Sequence, residues 1–450
     1  MTARRFDPAG PLRGALRPPP DKSISHRAAI LGAMSDGEVP VTRFLDAADT
    51  RATLAAVRTL GADVSETRGS ADALDLRVGG VGLRGAGASW DDSGETAIDV
   101  GNAGTLLRIL PGWLAGQERG VWLLDGDASI RRRPVDRVVG PLRAMGAEAS
   151  CRDGRLPPLR IEGRALRATD HRLAVASAQV KSCLLLAGLL AEGETAVTEP
   201  APSRDHTERM LRAAGVEISI ADLRTVAGVG GPPARRISVR RAERLELGPV
   251  DVPGDFSSAA FLLVAAILVP ESELRIEGVG LNPSRIGLLG ILNRMGAGIA
   301  VEEHAVAGPE PVGAIMARHS SLGGTRVHAE EVALAIDELP LVALAGCFAE
   351  GETVVSGAEE LRRKESDRIA GLAGALRALG GEVEPTADGF VVGGTGGLGG
   401  GQVRSRGDHR LAMLGAVAGL ASSRGAEVES FDSVAVSYPG FARDLASLAR

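Results

Sequence analysis

Apolar positions along the chain form a pattern that returns six times. Each copy has a polar start, an Ala/Leu-rich stretch of helical length, a turn and a short strand-like run. The copies are SISHRAAILGAMSDGEVPVTRF, NAGTLLRILPGWLAGQERGVWLLDG, SAQVKSCLLLAGLLAEGETAVTEP, DFSSAAFLLVAAILVPESELRIEGV, DELPLVALAGCFAEGETVVSGA and DHRLAMLGAVAGLASSRGAEVESF. Their starts, near Ser23, Asn102, Ser177, Asp255, Asp337 and Asp408, lie 79, 75, 78, 82 and 71 residues apart. In five copies a second, amphipathic helix follows and ends on a glycine: Gly61, Gly146, Gly215, Gly296 or Gly380. A glycine past the last apolar turn stops a helix, and the alternation after it is strand-like. FARDLASLAR at the C-terminus supplies the sixth.

The repeat predicts an α/β chain of six units, three before about residue 247 and three after. Helical solenoids use shorter periods, so the expected architecture is two compact domains of three units each. One spans 21–247; the other combines 1–20 with 248–450. The Pro-rich stretch at 17–20 and GPVDVPGD at 248–255 are the expected crossings. A length of 450 residues suits more than one domain.

Composition narrows the function. Net charge is −6, so no global basic field exists for nucleic acid or an anionic membrane. Three Trp, one Tyr and eight Phe are too few for a base-stacking platform. Cys151, Cys183 and Cys347 are far apart with no CxxC, which argues against a disulfide framework or zinc site and for a reducing compartment. MTARRFDPAGP lacks the apolar core of a secretory leader, and the longest apolar run, Ala259 to Val269, is too short to span a bilayer. A cytoplasmic protein is expected. Of 51 basic residues only Lys22, Lys181 and Lys364 are lysine. In a chain that otherwise writes arginine, each lysine is a candidate for a site needing a compact ammonium.

Familiar nucleotide and hydrolase motifs fail. GxGxxG occurs at Gly80-Gly82-Gly85 and Gly394-Gly396-Gly399, but neither opens a helix, so both read as loops. There is no GxxxxGK[ST], HExxH or GxSxG. What remains is a set of charged clusters in phase with the repeat: DKSISHR, GNAGTLLR, IRRRP, SAQVK, DELP, RRKESDR and GDHR. Helix N-termini offer unpaired N–H groups and a positive dipole end, so converging starts would hold anions. Plain N-capping by Ser, Asp and Asn explains many of the same residues.

PPPDKSISHRA, GNAGT, RRRPV, SAQVKS, RRKESDR and GDHR closely resemble, in order and over about residues 11 to 441, the motifs of the 5-enolpyruvylshikimate-3-phosphate synthases. SAQVK with SRDHTERML is similar to the bacterial forms distant from the enterobacterial type. The resemblance implies two similar domains, each of three βαβαββ repeats (an inside-out α/β barrel), with the active site in the interdomain cleft. It implies transfer of the enolpyruvyl group of phosphoenolpyruvate to the 5-hydroxyl of shikimate 3-phosphate, by a monomer without metal or organic cofactor. By the same resemblance Lys22, Ser23, Arg27, Ser177, Ala178, Gln179, Arg204, Asp337 and Lys364 hold shikimate 3-phosphate. Lys22, Asn102, Gly104, Arg133, Gln179, Arg368 and Arg410 surround phosphoenolpyruvate, whose site glyphosate would share. Glu365 gives a proton to the enol methylene, and Asp337, with Lys22 assisting, takes the hydroxyl proton. An ordinary surface pair of Glu365 with Arg368 or Lys364 is the plainer alternative.

Two positions depart from the pattern. Glu360 stands where the family often has asparagine, and Val436 where many members carry a C-terminal lysine. The related transferase acting on UDP-N-acetylglucosamine uses a cysteine in the loop corresponding to 125–135, and none is present here. A non-catalytic anion-binding scaffold would keep the arginines but need neither Asp337 nor Glu365.

Overall fold

The computed structural model describes residues 3–69, 72–87, 95–223, 234–304 and 308–449. The chain divides into two compact units: Pro20–Val252, and the N-terminal stretch through Pro19 together with Pro253 onward. Each unit has its own hydrophobic core, and among the described residues no buried side chain belongs to both cores.

In the unit Pro20–Val252, three helices carry the Ala/Leu-rich stretches: Lys22–Met34, Gly104–Ala115 and Ala178–Leu190. They are buried around most of their circumference, as helices apolar on every side must be. The second module shows the repeat plainly. Its sheet runs Glu95–Asp99, Val121–Asp125, Leu156–Glu162, Glu148–Arg152; the first pair is parallel and the rest antiparallel. Residues of Leu156–Glu162 alternate between fully and partly buried, which places one face of the sheet on the core. The third module repeats this order with Asp170–Arg172, Glu194–Glu199, Ala234–Arg240 and Ile218–Leu223. In the first module the leading strand comes from far along the chain: Val250–Asp251 pairs in parallel with Glu38–Leu45.

The other unit follows the same plan around the helices Phe256–Leu268, Leu339–Phe348 and His409–Ala421, which pack on one another. Every residue of Phe256–Leu268 is buried. Here too strands are borrowed. Arg13–Leu16 leads the fourth module's sheet beside Glu273–Gly280, and Arg4–Phe6 closes the sixth against Ala426–Glu429. The repeat is therefore contiguous in its helices but not in its strands.

The glycines expected to stop the second helices all do so. Gly61, Gly146, Gly215, Gly296 and Gly380 have φ of 101°, 96°, 84°, 92° and 96°, a region that side-chain-bearing residues rarely enter. Both GxGxxG stretches are loops.

Candidate active site

The six leading helices begin within two residues of the polar starts read from the sequence, at Lys22, Gly104, Ala178, Phe256, Leu339 and His409. Four are capped by side-chain oxygens: Asp21 accepts from Ile24 N–H, Ser177 from Val180, Asp255 from Ser257 and Asp408 from Arg410. The capping reading thus holds for these residues, and the chemistry lies in what is packed around them.

In the unit Pro20–Val252 the named residues form two clusters and a pair. Lys22 opens the first helix, and its Nζ lies 3.1 Å from Asp49, a buried carboxylate on the following helix. Arg27, one turn on and 4% exposed, donates to the Ser23 carbonyl at 2.9 Å, to Thr207 Oγ1 at 2.7 Å and to Ser182 Oγ at 3.0 Å. Arg204 lies in the segment between the strand Glu194–Glu199 and the helix His206–Ala213. The second cluster surrounds the start of the helix Gly104–Ala115. Arg133 donates to Asn102 Oδ1 at 3.1 Å, and Arg108 reaches the Gly104 carbonyl at 3.3 Å and Gln179 Oε1 at 3.4 Å. Gln179 in turn donates to Thr105 Oγ1 at 3.1 Å. Ser177 and Ala178 are the cap and first residue of the helix that carries Gln179.

Gly104 is the first residue of its helix and its φ is not positive, so a turn requirement does not explain it. A Cβ at this position would stand 3.0 Å from a guanidinium nitrogen of Arg108 and 3.0 Å from one of Arg133. Glycine here leaves room for two cations to face the same small space.

The other unit gathers Asp337, Lys364, Glu365, Arg368 and Arg410 around one guanidinium. Arg368 is 1% exposed; it donates to Asp337 at 3.1 Å, to Asp408 at 2.9 Å and to Glu365. Lys364 Nζ lies 3.4 Å from the same Asp337 oxygen. Arg410 donates to the Asp337 carbonyl at 3.2 Å and to Ser257 Oγ. Burial most of all, and the Glu365 charge, would lift the Asp408 pKa, but the charges of Arg368 and His409 and the Arg368 hydrogen bond together outweigh them and leave it below the usual carboxylate value. Burial likewise works against the charge of Arg368, and Asp408, Glu365 and Asp337 more than restore it.

Sequence reasoning missed Arg285. It is 3% exposed and donates to Glu338 at 3.1 Å and to Asp255 at 3.4 Å, tying the N-cap residues of two leading helices together. It lies between a strand and a second helix, out of phase with the polar starts, so the repeat gave no signal for it. Asp49 was missed for the same reason. Of the departures noted, Glu360 lies 3.7 Å from Arg363 and Val436 ends a short 3₁₀ turn, Phe431–Val436. No cluster of three or more His, Cys, Asp or Glu suited to a metal occurs among the described residues, and no helix among them is long and apolar enough to cross a membrane.

Comparison with known proteins agrees with this chemistry. A family model described as EPSP synthase (3-phosphoshikimate 1-carboxyvinyltransferase) matches residues 6–445. The chain is 46% identical over 447 residues to a 3-phosphoshikimate 1-carboxyvinyltransferase of Synechococcus sp. (strain WH7803), covering 99% of this chain and 98% of that one. It is 47% identical over 449 residues to a protein of the same name from Thermus thermophilus, covering 100% and 99%. The solved EPSP synthase of Acinetobacter baumannii superposes with a TM-score of 0.83 at 39% identity, over 99% of this chain and 98% of that one. The enolpyruvyl transferase NikO of Streptomyces tendae shares the fold, with a TM-score of 0.73 at 19% identity over 99% and 96%. With the family match running through every cluster described above, the chain belongs to the EPSP synthase family.

Proposed function

We propose that the chain transfers the enolpyruvyl group of phosphoenolpyruvate to the 5-hydroxyl of shikimate 3-phosphate and releases phosphate, as a monomeric cytoplasmic enzyme of chorismate and aromatic amino-acid biosynthesis. The observation that carries this reading is the cluster at Arg368. A nearly buried guanidinium joins two carboxylates of opposite assigned roles, Asp337 and Glu365, with Lys364 beside one of them. A scaffold that only bound anions would have no use for carboxylates there.

The acceptor is held by Lys22, Ser23, Arg27, Ser177, Ala178, Gln179, Arg204, Asp337 and Lys364. Phosphoenolpyruvate is held by Lys22, Asn102, Gly104, Arg133, Gln179, Arg368 and Arg410. Arginine forks match carboxylate and phosphate oxygens in pairs. In the first half-reaction the 5-hydroxyl oxygen bonds to C2 of phosphoenolpyruvate. Asp337 takes the hydroxyl proton and Glu365 delivers one to C3, giving a tetrahedral phosphate ketal with a methyl group. In the second half the Glu365 carboxylate takes a proton back from that methyl group. The C2–O bond to phosphate breaks with its electron pair going to the phosphate, which receives the proton held by Asp337, and the enol ether forms. Cations that meet the growing charge on carboxylate and phosphate stabilise both transition states.

Glu365 needs its proton to act as an acid, and Arg368 is its ion-pair partner. An incoming phosphoenolpyruvate anion that draws the Arg368 donors onto itself releases Glu365 from that pair. The ion pair with Arg368 and the acid role are therefore compatible, the first giving way to the second as phosphoenolpyruvate binds. Phosphate release from phosphoenolpyruvate that depends on added shikimate 3-phosphate, with the enol ether product seen by phosphorus NMR, tests the assignment. No acceptor-dependent release overturns it.

A further inference from the structure

The lysine that none of the assignments above uses is also the most buried. Lys181 is 1% exposed and stands two residues after Gln179 on the helix Ala178–Leu190. Its Nζ lies 3.0 Å from Glu199, 2.8 Å from Glu208 and 3.4 Å from the Ser203 carbonyl. Glu199 and Glu208 are 0% and 1% exposed. Glu199 also accepts from the Ser203 N–H at 3.0 Å and from its hydroxyl. Burial pulls the Lys181 pKa down, but the charges and hydrogen bonds of Glu208 and Glu199 outweigh it and leave it raised.

One ammonium thus serves two carboxylates and a carbonyl. A compact point charge with three rotatable donors can do this; a planar guanidinium is larger and sends its donors into a fixed fork. That accounts for lysine at this position in a chain with arginine at 48 of its 51 basic positions. Buried charges are costly to strand, so the two carboxylates stay buried only while the ammonium is there to meet them.

The set holds a particular piece of chain. Glu199 ends a strand and Glu208 lies in the first turn of the next helix, so Lys181 ties down both ends of the segment that carries Arg204. The next residue on the same helix, Ser182, shares a hydrogen bond of 2.6 Å with Thr207, and both hydroxyls accept from Arg27. The motifs SAQVKS and SRDHTE therefore meet through consecutive residues of one helix.

We infer that Lys181, with Glu199 and Glu208, is a positioning cluster that sets Arg204 and Arg27 for shikimate 3-phosphate before it arrives. This rests on the function proposed above. The cluster touches neither reacting group, so its loss raises the KM for that substrate and leaves the chemical step alone.

Two variants of the full chain test this. Lys181→Met removes the cation but strands two carboxylates, which can cost the fold. Glu208→Gln is isosteric and leaves a one-to-one pair of Lys181 with Glu199, so it keeps the fold. Equilibrium binding of shikimate 3-phosphate alone, both KM values and kcat are measured on each folded variant. Losing a charge-assisted anchor predicts about a tenfold rise in the shikimate 3-phosphate KM and Kd. The phosphoenolpyruvate KM and kcat stay within about twofold, and Lys181→Arg does not restore binding. A lowered melting temperature with unchanged shikimate 3-phosphate KM and Kd in Glu208→Gln overturns the inference and makes the cluster purely structural. Failure of the wild-type chain to bind shikimate 3-phosphate at all overturns the proposed function, and the inference with it.

Discussion

Arg368 and Asp337 form a salt bridge of 3.1 Å in which the arginine side chain is 1% exposed and that of the aspartate 11%. The same guanidinium holds Asp408 and Glu365, and Lys364 approaches Asp337 from a second side. A carboxylate held this way is fixed in direction, which suits the role of base proposed for it at one defined place.

Replacing the proposed base Asp337 without changing its size gives the first expectation. Asp337→Asn should lower kcat by roughly 10²–10⁴, the usual worth of a positioned acid or base, while shikimate 3-phosphate binding weakens less. Steady-state kinetics beside equilibrium binding separates the two. Normal turnover would move the base elsewhere.

Glu365 can be tested by isotope. Proton delivery to C3 makes a transient methyl group, so turnover in deuterium oxide should place deuterium in the product methylene. Glu365→Gln should lose roughly 10²–10⁴ in both turnover and deuterium incorporation. A variant that turns over slowly but incorporates deuterium at the wild-type rate would show that another group is the acid.

Gly104 reports on the space between Arg108 and Arg133. A methyl group there meets both guanidinium groups at 3.0 Å, so they must yield. If glyphosate shares the proposed phosphoenolpyruvate site, as the family resemblance implies, this longer molecule should suffer more than phosphoenolpyruvate in Gly104→Ala, by roughly 10–200-fold for one pocket methyl. The inhibition constant and the phosphoenolpyruvate KM measure this. Equal losses for both, with a lowered melting temperature, would mean that the methyl group damages the helix start instead.

His26 gives a pH dependence with a definite sign. Burial first, then the charges of Lys22 and Arg27, hold its pKa well below the ordinary 6.5, so it is neutral in the folded chain. Its contribution to stability is complete above 6.5, where the unfolded chain is also neutral. Below that, the unfolded chain binds a proton that the folded chain does not, and stability falls by up to about 1.4 kcal/mol per pH unit from this group. His26→Asn keeps a partner for Thr53, which now lies 2.6 Å from Nδ1, and removes the titration. Urea unfolding from pH 7 to pH 5 should show a shallower slope in the variant; equal slopes would contradict the assignment.

What the sequence disclosed and what it hid follow from the range of the forces involved. The helices and their glycine stops were legible because both depend on local pattern: Gly61 and its four counterparts enter left-handed φ wherever the apolar stripe ends. The borrowed strands were not legible. Val250–Asp251, Arg13–Leu16 and Arg4–Phe6 pair with partners far along the chain, and strands of two to four residues carry too little alternation to declare a partner. Among the clustered charged side chains, those in phase with the repeat could be named in advance. Arg285 and Asp49 could not, because their importance comes from buried carboxylates and cations that only folding brings near them. The three lysines lay between these cases: their rarity marked them, but only the fold distinguished Lys181, sealed among glutamates, from Lys22 and Lys364, which remain partly exposed.

The central claim is that these clusters recognise shikimate 3-phosphate as acceptor, and the choice of acceptor tests it most directly. Phosphate release from phosphoenolpyruvate is followed with shikimate 3-phosphate or UDP-N-acetylglucosamine at equal concentration. Release is expected with shikimate 3-phosphate and none above background with the nucleotide sugar. Release with UDP-N-acetylglucosamine alone, or with neither acceptor, would contradict it.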